Sequence, residues 1–86
     1  MLIDGKLHTY KVVWRKVHYI KAVAVVYERA SLLGFKYWKK VWIGGGLRDE
    51  DCARRMKPNE LRDWFSRAVF CYEEYKEAWD EYLRHG

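Results

Sequence analysis

Residues 17–35, VHYIKAVAVVYERASLLGF, decide which fold the chain is predicted to adopt. The Val, Ile and Tyr residues in this stretch are typical of a strand, whereas its length favours a helix, as does Gly34, which suits a left-handed cap. As a helix it has one broad apolar face that must be buried. That face holds Ile20, Val23, Ala24, Tyr27, Ala30 and Ser31, widened by Ala22, Val26 and Leu33. We therefore predict a helix over about 18–33 that packs flat on a sheet.

A hairpin is the alternative interpretation of the same region. It would turn at Arg15 and Lys16, directly before the decisive stretch. Two-residue hairpin turns prefer Asn-Gly or Asp-Gly, and neither pair occurs at this point. The hairpin therefore ranks second to the helix.

The segments on either side are predicted to be strands. Residues 8–14, HTYKVVW, and residues 35–43, FKYWKKVWI, are rich in β-branched and aromatic side chains. A strand, a helix and a strand in this order indicate a βαβ unit with parallel pairing. A split arrangement, with another strand between the two, is the alternative.

The last third of the chain is predicted to be helical. Residues 49–56 begin with acids and end with basic residues, as the helix dipole favours, and Pro58 ends this short helix. Asn59 is suited to cap a long helix over about 59–84. One side of this helix is apolar and is predicted to face the core: Leu61, Trp64, Phe65, Ala68, Tyr72, Tyr75, Trp79, Tyr82 and Leu83. The predicted fold class is a small α+β domain over residues 1–86, in which both longer helices pack on a short sheet.

The opposite side of the long helix is acidic, with one aromatic residue in its middle. The acids are Asp63, Glu73, Glu74, Glu77 and Glu81, and the aromatic residue is Phe70. Single exposed apolar residues are common, but a Phe among carboxylates also suits contact with a basic partner protein. These six residues form the candidate protein-binding site.

Composition excludes several classes of protein. The chain has 86 residues, of which 50% are hydrophobic and 17% aromatic, with five Trp and seven Tyr. Such a content of apolar residues, with a single Pro, six Gly and two Cys, argues against a disordered, collagen-like or disulfide-stapled chain. The length suits one domain, and the aromatic residues suit both a core and a contact surface.

Charge is distributed unevenly along the chain. Residues 1–48, the βαβ-like half, hold ten Lys and Arg against two acids, a net charge of +8. Residues 49–86, the helical half, hold seven against ten acids, a net charge of −3. A basic surface attracts polyanions and speeds their encounter, so the first half is the better candidate for a nucleic-acid contact.

A basic and aromatic strand is the most suggestive local feature. Strand alternation puts Lys36, Trp38, Lys40 and Trp42 on one face of residues 35–43. Pairing with the first strand would add Lys11 and Arg15. Cations neutralise phosphates and exposed aromatic rings stack on bases, so these six residues are the candidate nucleic-acid site. In the alternative, both Trp side chains face the helices and the lysines only protect the sheet edge from aggregation.

Catalysis, metal binding and cofactor binding find little support. Ser31 and Ser66 lie on predicted helices, His18 has no partner by motif, and the Cys and His residues lack the spacing of a zinc site. We expect Cys52 and Cys71 to be buried free thiols. Residues 44–46, GGG, are predicted to be a hinge, because the phosphate-loop motifs are absent and acids follow directly. We therefore expect no enzymatic activity, no metal and no cofactor.

The chain resembles the small accessory proteins of tailed bacteriophages in its Trp- and Tyr-rich segments. These segments are YKVVWRK at 10–16, FKYWKKVWIGGG at 35–46 and DWFSRAVFCYEEYKEAWDEY at 63–82. The resemblance implies a non-catalytic protein that binds nucleic acid or disables a host enzyme by occupying its surface. Since no leader and no run of ~18 apolar residues is found, we expect a soluble, cytoplasmic protein.

Two functions therefore stand as predictions from the sequence. The first is binding of DNA or RNA through a basic and aromatic sheet face. The second is inhibition or modulation of another protein, such as a host protein, through the acidic helix with Phe70 or through other exposed aromatic residues. We expect a monomer or a homodimer in either case.

Overall fold

A computed structural model describes residues 1–44 and 47–85 and contains a sheet and two helices. The strands are β1 (Leu2–Asp4), β2 (Thr9–His18), β3 (Lys21–Leu32), β4 (Phe35–Ile43) and β5 (Arg48–Asp49). The helices are α1 (Glu50–Arg55) and α2 (Pro58–His85). The α+β class is confirmed, as are the strands predicted at 8–14 and 35–43 and the helices predicted at 49–56 and 59–84. Pro58 begins α2, a position where its missing N–H is tolerated, and does not simply end α1.

The helix predicted over 18–33 is wrong, because Lys21–Leu32 form β3 and His18 is the last residue of β2. Five consecutive residues, 22–26, are buried, so the strand has apolar side chains on both faces. A strand buried on both sides carries a nearly continuous apolar run, which a helical wheel also displays as a broad apolar face. The position of β3 in the middle of the sheet therefore explains the run of apolar residues that favoured a helix.

Both connections of β3 are tight hairpins. His18 pairs with Lys21, so the first turn lies at Tyr19 and Ile20 and not at Arg15 and Lys16. The second turn consists of Leu33 and Gly34, whose φ angles of 53° and 87° are both positive. Two positive φ angles are the mark of a type I′ hairpin turn, so Gly34 supplies a turn where a helix cap was predicted.

All strand pairs are antiparallel, which corrects the predicted βαβ unit. The order across the sheet is β1, β2, β3, β4, and β5 pairs with the first residues of β3. Since β2 occupies the other side of β3 along this region, β5 lies on the same side as β4. Of residues 44–46, predicted to be a hinge, Gly45 and Gly46 lie outside the described residues. Gly44 is buried and donates its N–H to the Ala24 carbonyl at 2.6 Å.

Helix α2 lies on one face of the sheet and forms the core with it. The buried cluster contains Ile3, Tyr10, Val12, Ala24 and Val26 from the sheet and Phe65, Ala68, Val69 and Tyr72 from α2. Only the first half of the predicted apolar side of α2 is therefore consumed by the core. The later members are exposed: Tyr75, Trp79, Tyr82 and Leu83.

The buried carboxylate of Glu73 organises the loop between β1 and β2. Its two oxygens accept hydrogen bonds from the backbone N–H groups of Lys6 (3.0 Å) and Leu7 (2.9 Å) and from the Tyr10 hydroxyl (3.0 Å). Burial acts to raise the pKa of Glu73, but these hydrogen bonds outweigh it and the pKa is lowered. A Cβ atom at Gly5 would lie 2.7 Å from both carboxylate oxygens, so the loop closes tightly over Glu73.

Two further features bear on the predictions from sequence. Cys52 and Cys71 are free and exposed, so the prediction that both are buried is wrong. In the described part of the chain, neither helix has an apolar stretch of the length that a membrane crossing requires.

Candidate nucleic-acid interface

The sheet face that points away from α2, here called the open face, carries most of the predicted nucleic-acid site. Tyr10, Val12, Ala24 and Val26 belong to the core beneath α2, so the residues between them point the other way. Paired residues in an antiparallel sheet share a face, and the register joins Lys11 to Tyr27 and Tyr27 to Lys40. The open face thereby brings together Lys11, Arg15, Tyr27, Arg29, Lys36, Trp38 and Lys40.

A β-bulge removes Trp42 from this surface. Tyr27 pairs with Lys40 and the preceding Val26 pairs with Trp42, so one extra residue, Val41, sits in β4. One extra residue reverses the faces of all later side chains. The Trp42 ring accordingly lies 5.1 Å from the Tyr75 ring and 6.2 Å from the Tyr72 ring of α2, measured between centroids. The prediction that Trp42 shares a face with Trp38 is therefore wrong.

Two aromatic side chains of the open face each lie beside a guanidinium group. Arg15 Nε donates a hydrogen bond to the Tyr27 hydroxyl at 3.2 Å, and its Cζ lies 5.8 Å from the centre of that ring. Arg29 Cζ lies 5.6 Å from the Trp38 ring centre. Guanidinium groups stack on aromatic faces and retain N–H donors for other partners. The two pairs thus combine an aromatic surface with cationic donors.

Tyr27 and Arg29 were missed by the sequence prediction because both were assigned to a helix. The signal that points to them is the alternation within β3, where Val23, Val25, Tyr27, Arg29 and Ser31 occupy every second position. Read with a period of two, these residues share one face with Arg15 and Trp38 across the sheet.

The open face is electrostatically positive. Lys11, Arg15, Arg29, Lys36 and Lys40 make no ion pair with any residue in the described ranges. At the end of the sheet next to β5, Lys21 pairs with Asp49 at 2.6 Å, and at the other edge Asp4 accepts a hydrogen bond from Thr9. The centre of the face therefore holds five cations whose charge no nearby side chain neutralises.

Apolar side chains form the floor between these cations. Val23 and Val25 are buried although α2 lies on the other side of the sheet, and Val13 is half-buried opposite Val25. The apolar stems of Lys and Arg side chains are suited to cover such positions, because their charged ends still reach water.

The predicted protein-binding site is only partly present as a surface. Phe70 is exposed on α2, as are Asp63, Glu74, Glu77 and Glu81. Asp63 pairs with Arg67 at 3.3 Å, one helical turn away. Glu73 is buried beneath the loop between β1 and β2, so its assignment to an exposed acidic surface is wrong. Burial follows from the loop that covers this side of α2, which the helical wheel does not include.

No other chemical site is evident in residues 1–44 and 47–85. No group of three or more His, Cys, Asp and Glu side chains there is arranged to hold a metal ion. His18 is exposed next to the turn between β2 and β3, with its ring 4.8 Å from that of Tyr19. Ser31 lies on β3 and not on a helix.

Comparisons of the chain with protein families, curated proteins and solved structures found no match. Assignment of a function therefore rests on the geometry and charge of the surfaces described above.

Proposed function

We propose that this protein is a non-catalytic binding protein that engages single-stranded nucleic acid on the open face of its sheet. The observation that carries the proposal is a group of five cations around Tyr27 and Trp38 that make no ion pair with any residue of 1–44 and 47–85. Cations neutralise phosphates in any sequence, and aromatic rings stack on bases of any type. This combination favours binding with little sequence preference.

The spacing of the two aromatic residues supports a single strand over a duplex. Tyr27 lies opposite Lys40, and Trp38 is two residues from Lys40 along β4. The two residues are therefore diagonal neighbours, and the backbones of such neighbours lie about 7–8 Å apart. A duplex keeps its bases stacked on one another, whereas an extended single strand can present successive bases to separate rings. We expect two neighbouring bases to occupy Tyr27 and Trp38.

The arginines beside these rings extend the same argument. Arg15 and Arg29 lie over Tyr27 and Trp38, so a base that stacks on a ring comes within reach of a guanidinium group. Guanidinium groups bind phosphate through paired N–H donors. Each arginine is therefore expected to hold the phosphate next to the base stacked on its ring.

Binding of fluorescently labelled oligonucleotides over a salt series tests the proposal. We expect single strands to bind more tightly than duplexes, and the affinity to fall steeply as salt rises, because about 0.7 counterions are released per neutralised phosphate of a single strand. Binding that is undetectable at low salt, or affinity that does not change with salt, would reject the proposal.

Charge reversal at two positions locates the interface. Replacement of Lys36 and Lys40 by Glu is expected to weaken binding strongly and to reduce the salt dependence. The matched control reverses two exposed cations beside and on α2, Lys57 and Arg62, which make no ion pair within the described residues. Equal losses in both double variants would indicate attraction by net charge and not by the open face.

A protein partner is the second candidate, favoured by the exposure of Phe70 beside the acids of α2. Interface energy concentrates in aromatic residues, and the surrounding carboxylates would suit a basic partner. Affinity capture from a nuclease-treated lysate, with the wild-type chain and a Phe70→Ala variant as baits, tests this function. A stoichiometric partner lost with the variant supports it, whereas identical captures by both baits reject a role for Phe70.

A further inference from the structure

Strand β4 forms an edge of the sheet and leaves apolar side chains uncovered. It is nine residues long and stands last in the strand order, so its outer side has no neighbouring strand in the described part of the chain. Phe35 and Tyr37 point to the α2 side of the sheet, because they pair with Leu32 and Ala30, yet they remain 76% and 46% exposed. Long exposed edges with apolar side chains promote pairing with another chain.

Helix α2 presents aromatic residues on the same side of the molecule. Trp79 and Tyr82 follow Tyr75 at helical spacing, and Tyr75 contacts Trp42 of β4. The Trp79 and Tyr82 rings stack on each other with centroids 5.6 Å apart. Tyr75, Trp79 and Tyr82 are 53%, 50% and 65% exposed, so residues 1–44 and 47–85 leave at least half of each side chain uncovered.

The exposed aromatic side chains Phe35 and Tyr37 of β4 and Tyr75, Trp79 and Tyr82 of α2 are here together called the β4 flank. If a fully covered aromatic side chain buries roughly 200 Å², their exposed fractions leave about 600 Å² uncovered. That value lies at the upper end for the largest apolar patch of a monomer, about 300–600 Å². Two such patches brought together would bury about 1,200 Å², above the roughly 1,000 Å² that a specific interface needs.

We propose that two copies of this chain associate through the β4 flank, with β4 of one copy antiparallel to β4 of the other. The occupant of this flank must supply a free strand edge and an apolar surface together, and a second copy related by a two-fold axis supplies both. The two sheets become continuous, and the α2 helices lie side by side on the same face. The open faces then lie together on the opposite side, so the association does not depend on nucleic acid.

Lysines on the open face act against the same association. Lys36 and Lys40 point away from α2, and antiparallel pairing of two β4 strands brings them close to the same residues of the second copy. Like charges on facing strands are destabilising, and salt screens them. We therefore expect the dimer to tighten as salt rises, which is opposite to the expected salt dependence of nucleic-acid binding.

Light scattering after size exclusion, over a range of protein concentrations at low and high salt, tests the proposal. The wild-type chain is expected to have the mass of a dimer at high concentration and high salt. A variant with Trp79→Glu and Tyr82→Glu is expected to stay monomeric, while circular dichroism shows that it remains folded, since both side chains are already exposed. The control, Phe70→Glu, changes an exposed aromatic residue on the other side of α2 and should remain dimeric.

Hydrogen exchange distinguishes pairing of β4 from contact between helices alone. Amides of β4 are expected to exchange more slowly at high than at low protein concentration, and those of β1 to exchange equally. The proposal is overturned if the wild-type chain is monomeric throughout, if the double variant still dimerises, or if β4 exchange is independent of concentration.

Discussion

Glu73 on α2 accepts a hydrogen bond from the Tyr10 hydroxyl on β2 at 3.0 Å, across 63 positions of sequence. The same carboxylate holds two backbone N–H groups of the loop between β1 and β2. One buried side chain therefore joins the long helix, the second strand and the loop that precedes it.

Replacement of Glu73 by Gln should lower the free energy of unfolding by about 1–3 kcal/mol, the usual cost of a buried polar group that loses a hydrogen bond. The amide NH₂ would face a backbone N–H, and two donors cannot pair. Urea denaturation followed by circular dichroism measures the change. Glu74→Gln, one residue along and exposed, should leave the midpoint unchanged; equal effects would show that Glu73 acts only by net charge.

Stability should depend on pH through Glu73 at the acidic end. The pKa of Glu73 is lowered in the folded chain, so its ionised carboxylate stabilises the fold at pH values above the ordinary pKa of 4.5. This stabilisation is lost as the pH falls through the lower pKa of the folded chain. When denaturation is measured from neutral to acidic pH, the midpoint of the wild-type chain should decrease within this pH range. The midpoint of the Glu73→Gln variant should decrease less steeply there, and an identical slope would contradict the role assigned to Glu73.

At the alkaline end the pH dependence should come from Tyr72 and Tyr10. Burial, and then the nearby Glu28 carboxylate, raise the pKa of Tyr72 to about 12, and burial with the hydrogen bond to Glu73 also raises the pKa of Tyr10. A raised tyrosine pKa stabilises the fold at pH values below the ordinary pKa of 10.0. This stabilisation is lost as the pH rises through the higher pKa of the folded chain. Between about pH 10 and 12, the denaturation midpoint of a Tyr72→Phe variant should therefore decrease less steeply with pH than that of the wild type. Equal slopes would contradict this prediction.

The hairpin between β3 and β4 should become more stable when Leu33 is replaced by Asn. Leu33 has a φ angle of 53° and is 91% exposed, so it adopts a left-handed conformation without contributing to the core. This conformation costs most L-residues about 1–2 kcal/mol, and Asn tolerates it better. Thermal denaturation should show a higher midpoint for Leu33→Asn and a lower one for Gly34→Ala, whose φ angle is 87°. A lower midpoint for both variants would contradict the turn assignment.

Substitution of Trp38 and of Trp42 should separate binding from stability. Trp42→Ala removes contacts with Tyr72 and Tyr75 and should lower the free energy of unfolding by about 3 kcal/mol. Trp38→Ala should lower it by about 1 kcal/mol or less but weaken single-strand binding more than duplex binding. Denaturation and oligonucleotide titration of both variants measure these two effects. If Trp38→Ala lost more stability and Trp42→Ala lost more binding, the bulge of β4 would lie elsewhere.

Local sequence signals were sufficient for several elements. The helical period of residues 59–84 and the acids at the start of α1 predict both helices within two residues at each end. The residue types of 35–43 predict β4, and alternation correctly puts Lys36, Trp38 and Lys40 on one face. These features depend on neighbours within a few positions of sequence, which is why a single chain reveals them.

Other features depend on contacts between distant segments. The apolar run of β3 fits a broadly buried helix as well as a central strand, and only pairing with β2 and β4 distinguishes them. The bulge that turns Trp42 toward α2 is a property of the pairing and has no local mark in FKYWKKVWI. Helical spacing places Glu73 among exposed acids, but the distant loop at Lys6 and Leu7 covers it.

The sequence by itself therefore determined the class of the fold, the helices of the second half, and the shared face of Lys36, Trp38 and Lys40 on β4. Tertiary structure decided which of those side chains meet: it assembled the open face by joining β2, β3 and β4, and it left the last aromatic residues of α2 uncovered. The physical reason is that periodicity records which side of an element is apolar, whereas burial depends on what lies against that side, and that is fixed by contacts across the whole chain.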